Sequence, residues 1–194
     1  MNKSDIKKGN KIKFGRYDWR VLDVYANQAL LLSDRIVKYK QYHTYSITVT
    51  WESCHLRQHL NKEFYNTFND NEKSIIVPTN LINPDNLWYG TSGGDDTVDN
   101  IFLLSIEDVI EFLGSDNWKR TPKAKVSLGK IIDDRYNELR IAFDVSGKEA
   151  SWLLRSPGCE ENYTADVNPY GWIDIDGSLS TNKQGVRPAL KIKI

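Results

Sequence analysis

His55 and His59 are four residues apart in the stretch SCHLRQHLNKE, which is the spacing of two metal ligands on one face of a helix. Cys54 precedes them, and Glu63 would extend the row if the helix continued. We expect the third histidine, His43, to lie far from this group, and no second cysteine stands nearby. Two ligands on one helix are a weak zinc signal, so we predict a partly exposed helix face and no bound metal.

Acidic residues form two further groups that suit calcium, which prefers oxygen ligands. The stretch GGDDTVD contains Asp95, Asp96 and Asp99, and the stretch DIDG contains Asp174 and Asp176. Neither group has the full spacing of a calcium-binding loop. Acidic loop residues are commonly just solvated, and Asp-Gly is a common hairpin turn, so a loop calcium site stays an open alternative.

Cysteine chemistry has little support in the sequence. Nothing brings Cys54 and Cys159 together or favours a reactive thiol in either of them. The chain also has no Ser-His-Asp order, P-loop or glycine-rich dinucleotide motif, so we predict no catalytic residue and no cofactor. Two cysteines make no disulfide framework, and the N-terminus has no apolar signal-peptide segment, so we expect a cytoplasmic location.

Two arginines stand among apolar residues, Arg155 in SWLLRSPG and Arg187 in GVRPALKI. Each is either a ligand-binding group or a buried clamp that ties strands together. A buried guanidinium needs carboxylate or carbonyl partners, because an unpaired buried charge is very costly. Candidate partners are Glu52, Asp23 and Asp108. Both arginines lie beside predicted strands and not at loop tips, so we predict that both are structural.

A turn-rich stretch from Pro157 to Gly185 is rich in Tyr, Asn and Ser, which adaptable recognition loops favour. Ordinary hairpin turns favour Asn, Ser and Gly as well, so turns without a ligand are the alternative. If the stretch binds a ligand, the contact residues are expected to be its aromatic and amide side chains, Tyr163, Asn168, Tyr170, Trp172 and Asn182.

The elements that position these residues follow from hydrophobic periodicity. Alternation over Lys11–Ser33, interrupted at turns, predicts an antiparallel hairpin or meander. Residues 51–68 repeat Leu or Phe every four positions, which predicts an amphipathic helix with Thr50 as its N-cap. Asn61 can break this helix into two, and Asp70 is the predicted cap of a third helical piece.

The middle of the chain predicts a long loop over residues 79–100, which are rich in Asn, Asp, Gly and Thr. A short buried strand is expected at residues 101–105. Ser105 then begins a capping box, which predicts a helix that ends at Gly114. Thr121-Pro122 is another helix-start signal.

From Ala150 onward strands return, with a hairpin turn expected at Asp176-Gly177. Strands, helices, a loop-rich middle and strands predict an α+β protein with both chain ends in one sheet. With 194 residues, 40% of them hydrophobic, we predict a single domain over 1–194, of which 1–10 form a flexible extension. Lys+Arg and Asp+Glu both number 26, and no apolar run approaches ~20 residues, so we expect no nucleic-acid or membrane partner.

Six segments of the chain carry a resemblance to a known family. They are GRYDWRVLDV, ALLLS, TWESCHLRQHLNKEF, IFLLSIEDV, SWLLRSPG and GVRPALKI. In this order they resemble a bacterial and phage family, domain of unknown function 6273, over residues 9–194. The closing pair also resembles the end of C-type-lectin-like domains, which include formylglycine-generating-enzyme-like proteins and variable proteins diversified by retroelements.

The resemblance implies a C-type-lectin-like fold. In that fold the first and last strands pair, two helices flank a mostly antiparallel sheet, and a long loop region carries binding. The resemblance implies no activity, because fold analogy alone cannot supply one. We interpret the chain as a non-enzymatic recognition domain of a bacterium or phage, whose partner is a protein, glycan or small molecule. The alternatives are an enzyme or metal-dependent module on a formylglycine-generating-enzyme-like scaffold, and a structural phage or cell-envelope component.

Overall fold

The computed structural model describes residues 5–115 and 129–194, which form a mixed α+β structure made mostly of strands. The strands are β1 (Lys11–Phe14), β2 (Tyr17–Tyr25), β3 (Gln28–Ser33), β4 (Lys38–Gln41), β5 (Ile76–Val77), β6 (Thr79–Leu81), β7 (Thr97–Asp99), β8 (Ile131–Ile132), β9 (Trp152–Pro157), β10 (Tyr163–Val167), β11 (Ile173–Leu179), β12 (Lys183–Val186) and β13 (Ala189–Lys193). The helical segments are α1 (His55–His59), a π-helical turn (Leu60–Phe64), a 3₁₀ turn (Tyr65–Thr67), α2 (Asp70–Ile75), α3 (Ile106–Leu113) and α4 (Asn137–Arg140). The predicted α+β class is confirmed.

The first sheet is open and has the order β1-β2-β3-β13-β5. Its first three strands are the predicted meander over Lys11–Ser33, which is confirmed. Both chain ends share this sheet, as predicted, but the last strand pairs with β3 and not with β1. The expected direct pairing of first and last strands is therefore wrong. β1 alternates exposed and buried residues and forms an edge, whereas β3 is buried from Ala29 to Ser33 and takes a neighbour on each side.

The second sheet is also open and has the order β4-β12-β9-β10-β11-β8. β12 runs parallel to β9, and the other neighbours are antiparallel. The hairpin turn predicted at Asp176-Gly177 is wrong, because β11 runs through both residues. Gly177 has a φ of 70°, and a Cβ atom there would lie 2.0 Å from the carbonyl oxygen of Thr164. The Asp-Gly pair thus marks an irregularity in the register of β10 and β11, where only glycine fits.

The helix α1 begins later than predicted. Cys54 is its N-cap, and the Sγ atom accepts the backbone N–H of Arg57 at 3.3 Å. The predicted cap, Thr50, lies in the turn before the helix. Threonine is a far commoner cap than cysteine, which is why the sequence favoured the wrong residue.

Asn61 does not break the helical segment, which continues through the π-helical and 3₁₀ turns. The Asn61 side-chain amide instead donates to the carbonyl oxygen of Ile101 at 2.9 Å and ties the helix to a later segment. At α2 the cap is Asn69 and not the predicted Asp70. The Asn69 side chain accepts the backbone N–H of Glu72 at 3.0 Å, and the Glu72 carboxylate accepts the backbone N–H of Asn69.

The predicted long loop over residues 79–100 is a loop only in its centre. Its two ends form β6 and β7, which pair antiparallel with Asn80 opposite Val98. Residues 82–96 connect these strands. Each strand has only three residues, which is too short for a periodic pattern, so the sequence did not reveal the strands.

Residues 101–105 are buried, as predicted, but they do not form a strand. Phe102 makes an isolated bridge to Ala189 of β13. The helix that follows is confirmed, because Ser105 forms a capping box and Gly114 ends the helix with a φ of 87°.

One hydrophobic cluster runs through the described chain, and Trp19, Trp51 and Trp152 are among its most buried members. Ile6 also belongs to the cluster, although it lies in the predicted N-terminal extension. The single-domain organisation stays a prediction. The helix start predicted at Thr121-Pro122 lies outside the described residues. No helix in the described part of the chain is long and apolar enough to cross a membrane.

Candidate functional site

The structure separates the five predicted contact residues into two groups. Tyr163 begins β10, opposite Leu179, and Asn182 lies in the turn just after that end of β11. Asn168, Tyr170 and Trp172 lie in or beside the turn at the other end of the same hairpin. β10 has five residues, so roughly 15 Å separate the two groups. These residues therefore cannot form one small contact surface, and their role in binding stays a prediction.

The turn over residues 168–172, here called the aromatic turn, has a fixed backbone. The Asn168 Oδ1 atom accepts the backbone N–H groups of Tyr170 at 2.9 Å and Trp172 at 3.1 Å. Gly171 has a φ of 79°, and a Cβ atom there would lie 2.0 Å from the carbonyl oxygen of Asn137. The turn is thus held by its own amide side chain and by close contact with α4.

The aromatic turn presents two rings in contact. The ring centroids of Tyr170 and Trp172 are 5.5 Å apart, with an angle of 40° between the planes. Tyr170 is 66% exposed, and Trp172 is half-buried. Two adjacent rings on a fixed backbone form an apolar surface with a polar hydroxyl tip, which suits recognition.

At the other end of the hairpin, Tyr163 and Asn182 contribute little to a concave surface. A shallow pocket of about 400 Å³ lies nearby, between residues 46–48 and residues 160–162, and neither Tyr163 nor Asn182 lines it. The backbone N–H of Asn182 donates to Leu179, as an ordinary turn requires.

Arg155 is buried and joins four parts of the structure. Its Nη1 atom donates to the Asp108 carboxylate and to the carbonyl oxygen of Leu103 at 2.9 Å. Its Nη2 atom donates to the carbonyl oxygen of Ile82 at 3.2 Å, and its Nε atom donates to Asn83 Oδ1 at 3.1 Å. These contacts connect β9 to α3, to the buried segment before α3 and to the β6–β7 loop. Asp108 is one of the partners that the sequence suggested.

Arg187 has a different environment, although the sequence placed it in the same class. It is completely buried, and its Nε atom donates to the carbonyl oxygen of Ser33 at 2.9 Å. Its guanidinium carbon lies 5.1 Å from the centroid of the Trp152 ring. Neither terminal nitrogen has a hydrogen-bond partner within the described residues. Burial lowers the pKa of Arg187 to about 9, and Arg20 adds to the effect.

A carboxylate partner for Arg187 was expected and is not found in the described chain. The charge of Asp34 raises the pKa of Arg187 and so opposes the effect of burial in part. Asp34 itself pairs with Lys11 and Arg20 and forms no ion pair with Arg187 in the described structure. Glu52 and Asp23, the other suggested partners, form no ion pair with either arginine among the residues described. The sequence shows that an arginine is surrounded by apolar residues, but it does not show which carbonyl or ring faces it.

The histidines lie in an arrangement that the sequence did not predict. The expectation that His43 is far away is wrong, because the rings of His43 and His55 stack with centroids 4.0 Å apart. A backbone hydrogen bond from Leu56 to Tyr42 brings these segments together. His59 instead pairs with Glu63, at 3.1 Å between Nδ1 and Oε2.

This arrangement does not suit a metal centre. Stacked rings present their faces to each other, whereas a shared ion needs their nitrogen atoms to converge. His55 Nδ1 also accepts the backbone N–H of Thr44 at 3.3 Å. No group of three or more His, Cys, Asp or Glu side chains positioned for a metal is found within residues 5–115 and 129–194.

The acidic residues considered for calcium bind protein donors. Asp99 is buried and accepts hydrogen bonds from Trp51 Nε1 at 2.9 Å, Arg57 Nε at 2.7 Å and Thr97 Oγ1 at 2.9 Å. Asp176 accepts hydrogen bonds from the Tyr89 hydroxyl and from backbone N–H groups of residues 129 and 130.

Asp96 and Asp174 act in the same way. Asp96 accepts the backbone N–H of Asn83 at 3.0 Å, and Asp174 accepts that of Gly177 at 3.0 Å. Asp95 is exposed, and its carbonyl oxygen accepts the Asn83 amide at 2.8 Å. These side chains therefore fix loops, and the described structure does not gather their carboxylates into one site.

Both thiols are unsuited to nucleophilic chemistry. Burial raises the pKa of Cys54 to about 12, and Cys54 serves as the cap of α1. Burial and the neighbouring Asp176 raise the pKa of Cys159. A thiol with a raised pKa carries little reactive thiolate at neutral pH.

A pocket of about 380 Å³ was not anticipated from the sequence. It lies between the first sheet, β6 and α3, and Arg155 forms part of its wall. Its apolar walls are contributed by Leu30, Leu81, Ile82, Pro84, Phe102 and Phe112. We call it the α3 pocket. These residues come from four separate segments, so no local pattern in the sequence could have indicated it.

Asp166 is a further buried group that sequence reasoning missed. It lies on β10 and accepts hydrogen bonds from Ser178 Oγ at 3.0 Å and Gln184 Nε2 at 2.9 Å. Burial raises the pKa of Asp166 to about 6, and the facing Asp174 contributes in the same direction. An acidic residue inside the strand pattern YTADV was the available signal.

Stability is expected to depend on the ionisation of Asp166. The folded pKa, about 6, lies above the unfolded value near 3.9. The folded state therefore holds a proton that the unfolded state has lost, and the contribution of Asp166 to the unfolding free energy falls as pH rises from about 4 to about 6. The fall attributable to this group is up to about 3 kcal/mol. Asp166→Asn should remove that part of the fall in urea unfolding at a series of pH values.

The control for this experiment is Asp18→Asn, which changes an exposed carboxylate. It should show the same pH dependence of unfolding free energy as the wild-type protein. An Asp166→Asn variant whose unfolding free energy follows the wild-type curve between pH 4 and pH 6 would contradict the assignment.

Together these features define an α+β protein with two open, largely antiparallel sheets, a fixed aromatic turn and a pocket beside its longest described helix. Over residues 26–194 the chain matches the family described as Domain of unknown function (DUF6273), and it belongs to that family. No curated protein and no solved structure matches the chain.

Proposed function

We propose that this protein is a recognition domain that binds its partner through the aromatic turn. The observation that carries the proposal is the ring pair of Tyr170 and Trp172 on a backbone that Asn168 holds in place. A surface that is already rigid loses little conformational entropy on binding. Aromatic anchors also contribute a large share of binding energy at many interfaces. The partner is a protein, a glycan or a small molecule.

The proposal includes a C-type-lectin-like fold and a bacterial or phage origin. Support for the fold comes from the sheet shared by both chain ends, from the helices beside it and from the long connection over residues 82–96. The position of β13 next to β3 is where the chain departs from the expected pattern. A solved structure of this chain, superposed on C-type-lectin-like domains, tests this part directly.

The proposal also excludes nucleic acid and membranes as partners and places the protein in the cytoplasm. Its support is the equal number of basic and acidic residues, 26 of each, and the two free thiols. The enzyme alternative has less support, because a cysteine-pair mechanism needs thiolates and burial keeps Cys54 protonated.

Tyr170→Ala is expected to abolish or strongly weaken partner binding while unfolding stays within roughly 0.5 kcal/mol of wild type. Tyr25→Ala is the matched control, because Tyr25 is an 82% exposed tyrosine at the turn between β2 and β3. The measurement is a glycan array together with quantitative pull-down from bacterial lysate, using wild type and both variants in parallel.

The supporting result is a glycan or protein that wild type and Tyr25→Ala retain and that Tyr170→Ala loses. If every retained partner binds Tyr170→Ala as tightly as wild type, the aromatic turn is not the contact surface. A Tyr170→Ala variant that unfolds like a core mutant would also contradict the proposal.

A further inference from the structure

We infer that the α3 pocket is a second binding site, for a small zwitterion with an apolar body, the class to which apolar α-amino acids belong. None of the residues that line the pocket lies in the aromatic turn. The volume, about 380 Å³, lies within the range of roughly 300–1,000 Å³ that small-molecule sites occupy. The inference therefore stands or falls separately from the proposed recognition surface.

The Glu107 carboxylate has an oxygen without a hydrogen-bond partner in the described structure. This oxygen, Oε2, is buried, and Glu107 is one of the residues that line the pocket. Buried polar atoms are nearly always hydrogen-bonded, because leaving one unpaired is costly, and more so for a charged group. A ligand that donates a hydrogen bond, above all an ammonium group, would satisfy this carboxylate once it turns its buried oxygen towards the pocket.

The charged residues that line the pocket are only partly paired with each other. Four charged residues line it, Glu107, Asp108, Arg155 and Lys191. Asp108 and Arg155 form an ion pair with each other. Glu107 and Lys191 make no ion pair within residues 5–115 and 129–194, so one negative and one positive group remain available. A ligand that carries one ammonium and one carboxylate matches this pair, whereas a ligand with a single charge leaves one of them unused.

Most of the remaining pocket wall is apolar. Phe102 and Phe112 line the pocket with Leu30 and Leu81, and Ile82 is exposed beside them. The Arg155 contacts with Ile82 and Asp108 hold the wall and α3 in fixed positions. An apolar side chain of the ligand would replace water at this wall, which is favourable, and the fixed wall limits the entropic cost of binding.

The experiment is calorimetric or NMR titration of the full chain with L-phenylalanine and L-leucine. The single-charge comparisons are 3-phenylpropionate, which lacks the ammonium group, and 2-phenylethylamine, which lacks the carboxylate. We expect saturable binding of at least one amino acid, with each single-charge analogue of phenylalanine weaker by about tenfold or more.

The variants assign the two charges. Glu107→Gln should weaken amino-acid binding about tenfold or more and leave 3-phenylpropionate nearly unchanged. Lys191→Met should weaken amino-acid binding and leave 2-phenylethylamine nearly unchanged. Glu111→Gln and Lys193→Met are the matched controls, because both residues are exposed on the same elements and line no part of the pocket. Circular dichroism confirms that each variant is folded.

Three results would overturn the inference. One is the absence of saturable binding of either amino acid, and the second is equally tight binding of a single-charge analogue. The third is unchanged amino-acid binding by Glu107→Gln. Loss of binding in the two control variants to the same extent as in the test variants would also overturn it, because the effect would then not be specific to Glu107 and Lys191.

Discussion

Replacing Arg155 by alanine is expected to lower the free energy of unfolding by about 3 kcal/mol. The loss follows from the groups that the guanidinium leaves behind. Asp108 loses its ion pair, and the carbonyl oxygens of Leu103 and Ile82 and the amide oxygen of Asn83 lose their donor. The Asp108 side chain is 24% exposed, so water compensates part of its loss and the effect stays below that of a fully buried pair.

Urea unfolding of Arg155→Ala and Arg155→Met measures this effect. Both variants should be destabilised by similar amounts, because methionine fills the space but donates no hydrogen bond. Arg16→Ala, which changes an exposed arginine, should stay within about 0.5 kcal/mol of wild type. If Arg155→Ala unfolds at the same urea concentration as wild type, Arg155 is not a structural clamp and its place in the wall of the α3 pocket becomes its main role.

Arg187→Ala is expected to destabilise the protein by about 3 kcal/mol as well, but for a steric reason. Arg187 is completely buried, and its removal leaves a cavity next to Trp152. Arg187→Met should restore most of the loss and reach within about 1 kcal/mol of wild type. Methionine fills the space, and the variant no longer buries a guanidinium whose terminal nitrogens have no partner in the described structure.

The comparison of the two methionine variants separates the two arginines. Arg155→Met is expected to lose most of the stability that Arg155→Ala loses, because Arg155 acts through its hydrogen bonds. Arg187→Met is expected to keep most of the wild-type stability, because Arg187 acts through its volume and its contact with Trp152. Equal behaviour of the two variants in urea unfolding would contradict this difference. A strongly destabilised Arg187→Met would indicate that the bond from Nε to Ser33 carries the stability.

Local signals in the sequence were sufficient where a feature depends on a few consecutive residues. The meander over Lys11–Ser33 follows from alternation and turn residues, and both were visible. The capping box at Ser105 and the glycine at 114 defined α3 for the same reason. The caps at Cys54 and Asn69 were missed by four residues and by one residue, because Thr is a commoner cap than Cys and Asp is as good a cap as Asn.

Pairing between distant segments was only partly predictable. The sharing of one sheet by the two chain ends followed from the order of the elements, but the choice of β3 as the neighbour of β13 depended on which strand was buried on both faces. In the sequence, the Asp-Gly pair at 176–177 is compatible with a hairpin turn or with an irregularity inside a strand. The structure shows the irregularity, at a point where the Thr164 carbonyl oxygen approaches Gly177 closely.

The sequence by itself determined the α+β class, the family and the chemical types available for binding, because these depend on local periodicity and on residue identity. The tertiary structure alone decided which of those residues act together. It placed Tyr163 and Tyr170 at opposite ends of one hairpin, stacked His43 on His55, and turned Glu107 and Lys191 into the charged sides of one pocket. The physical reason is that a site forms from contacts between segments distant in the chain, whose mutual positions are set by the packing of the whole core.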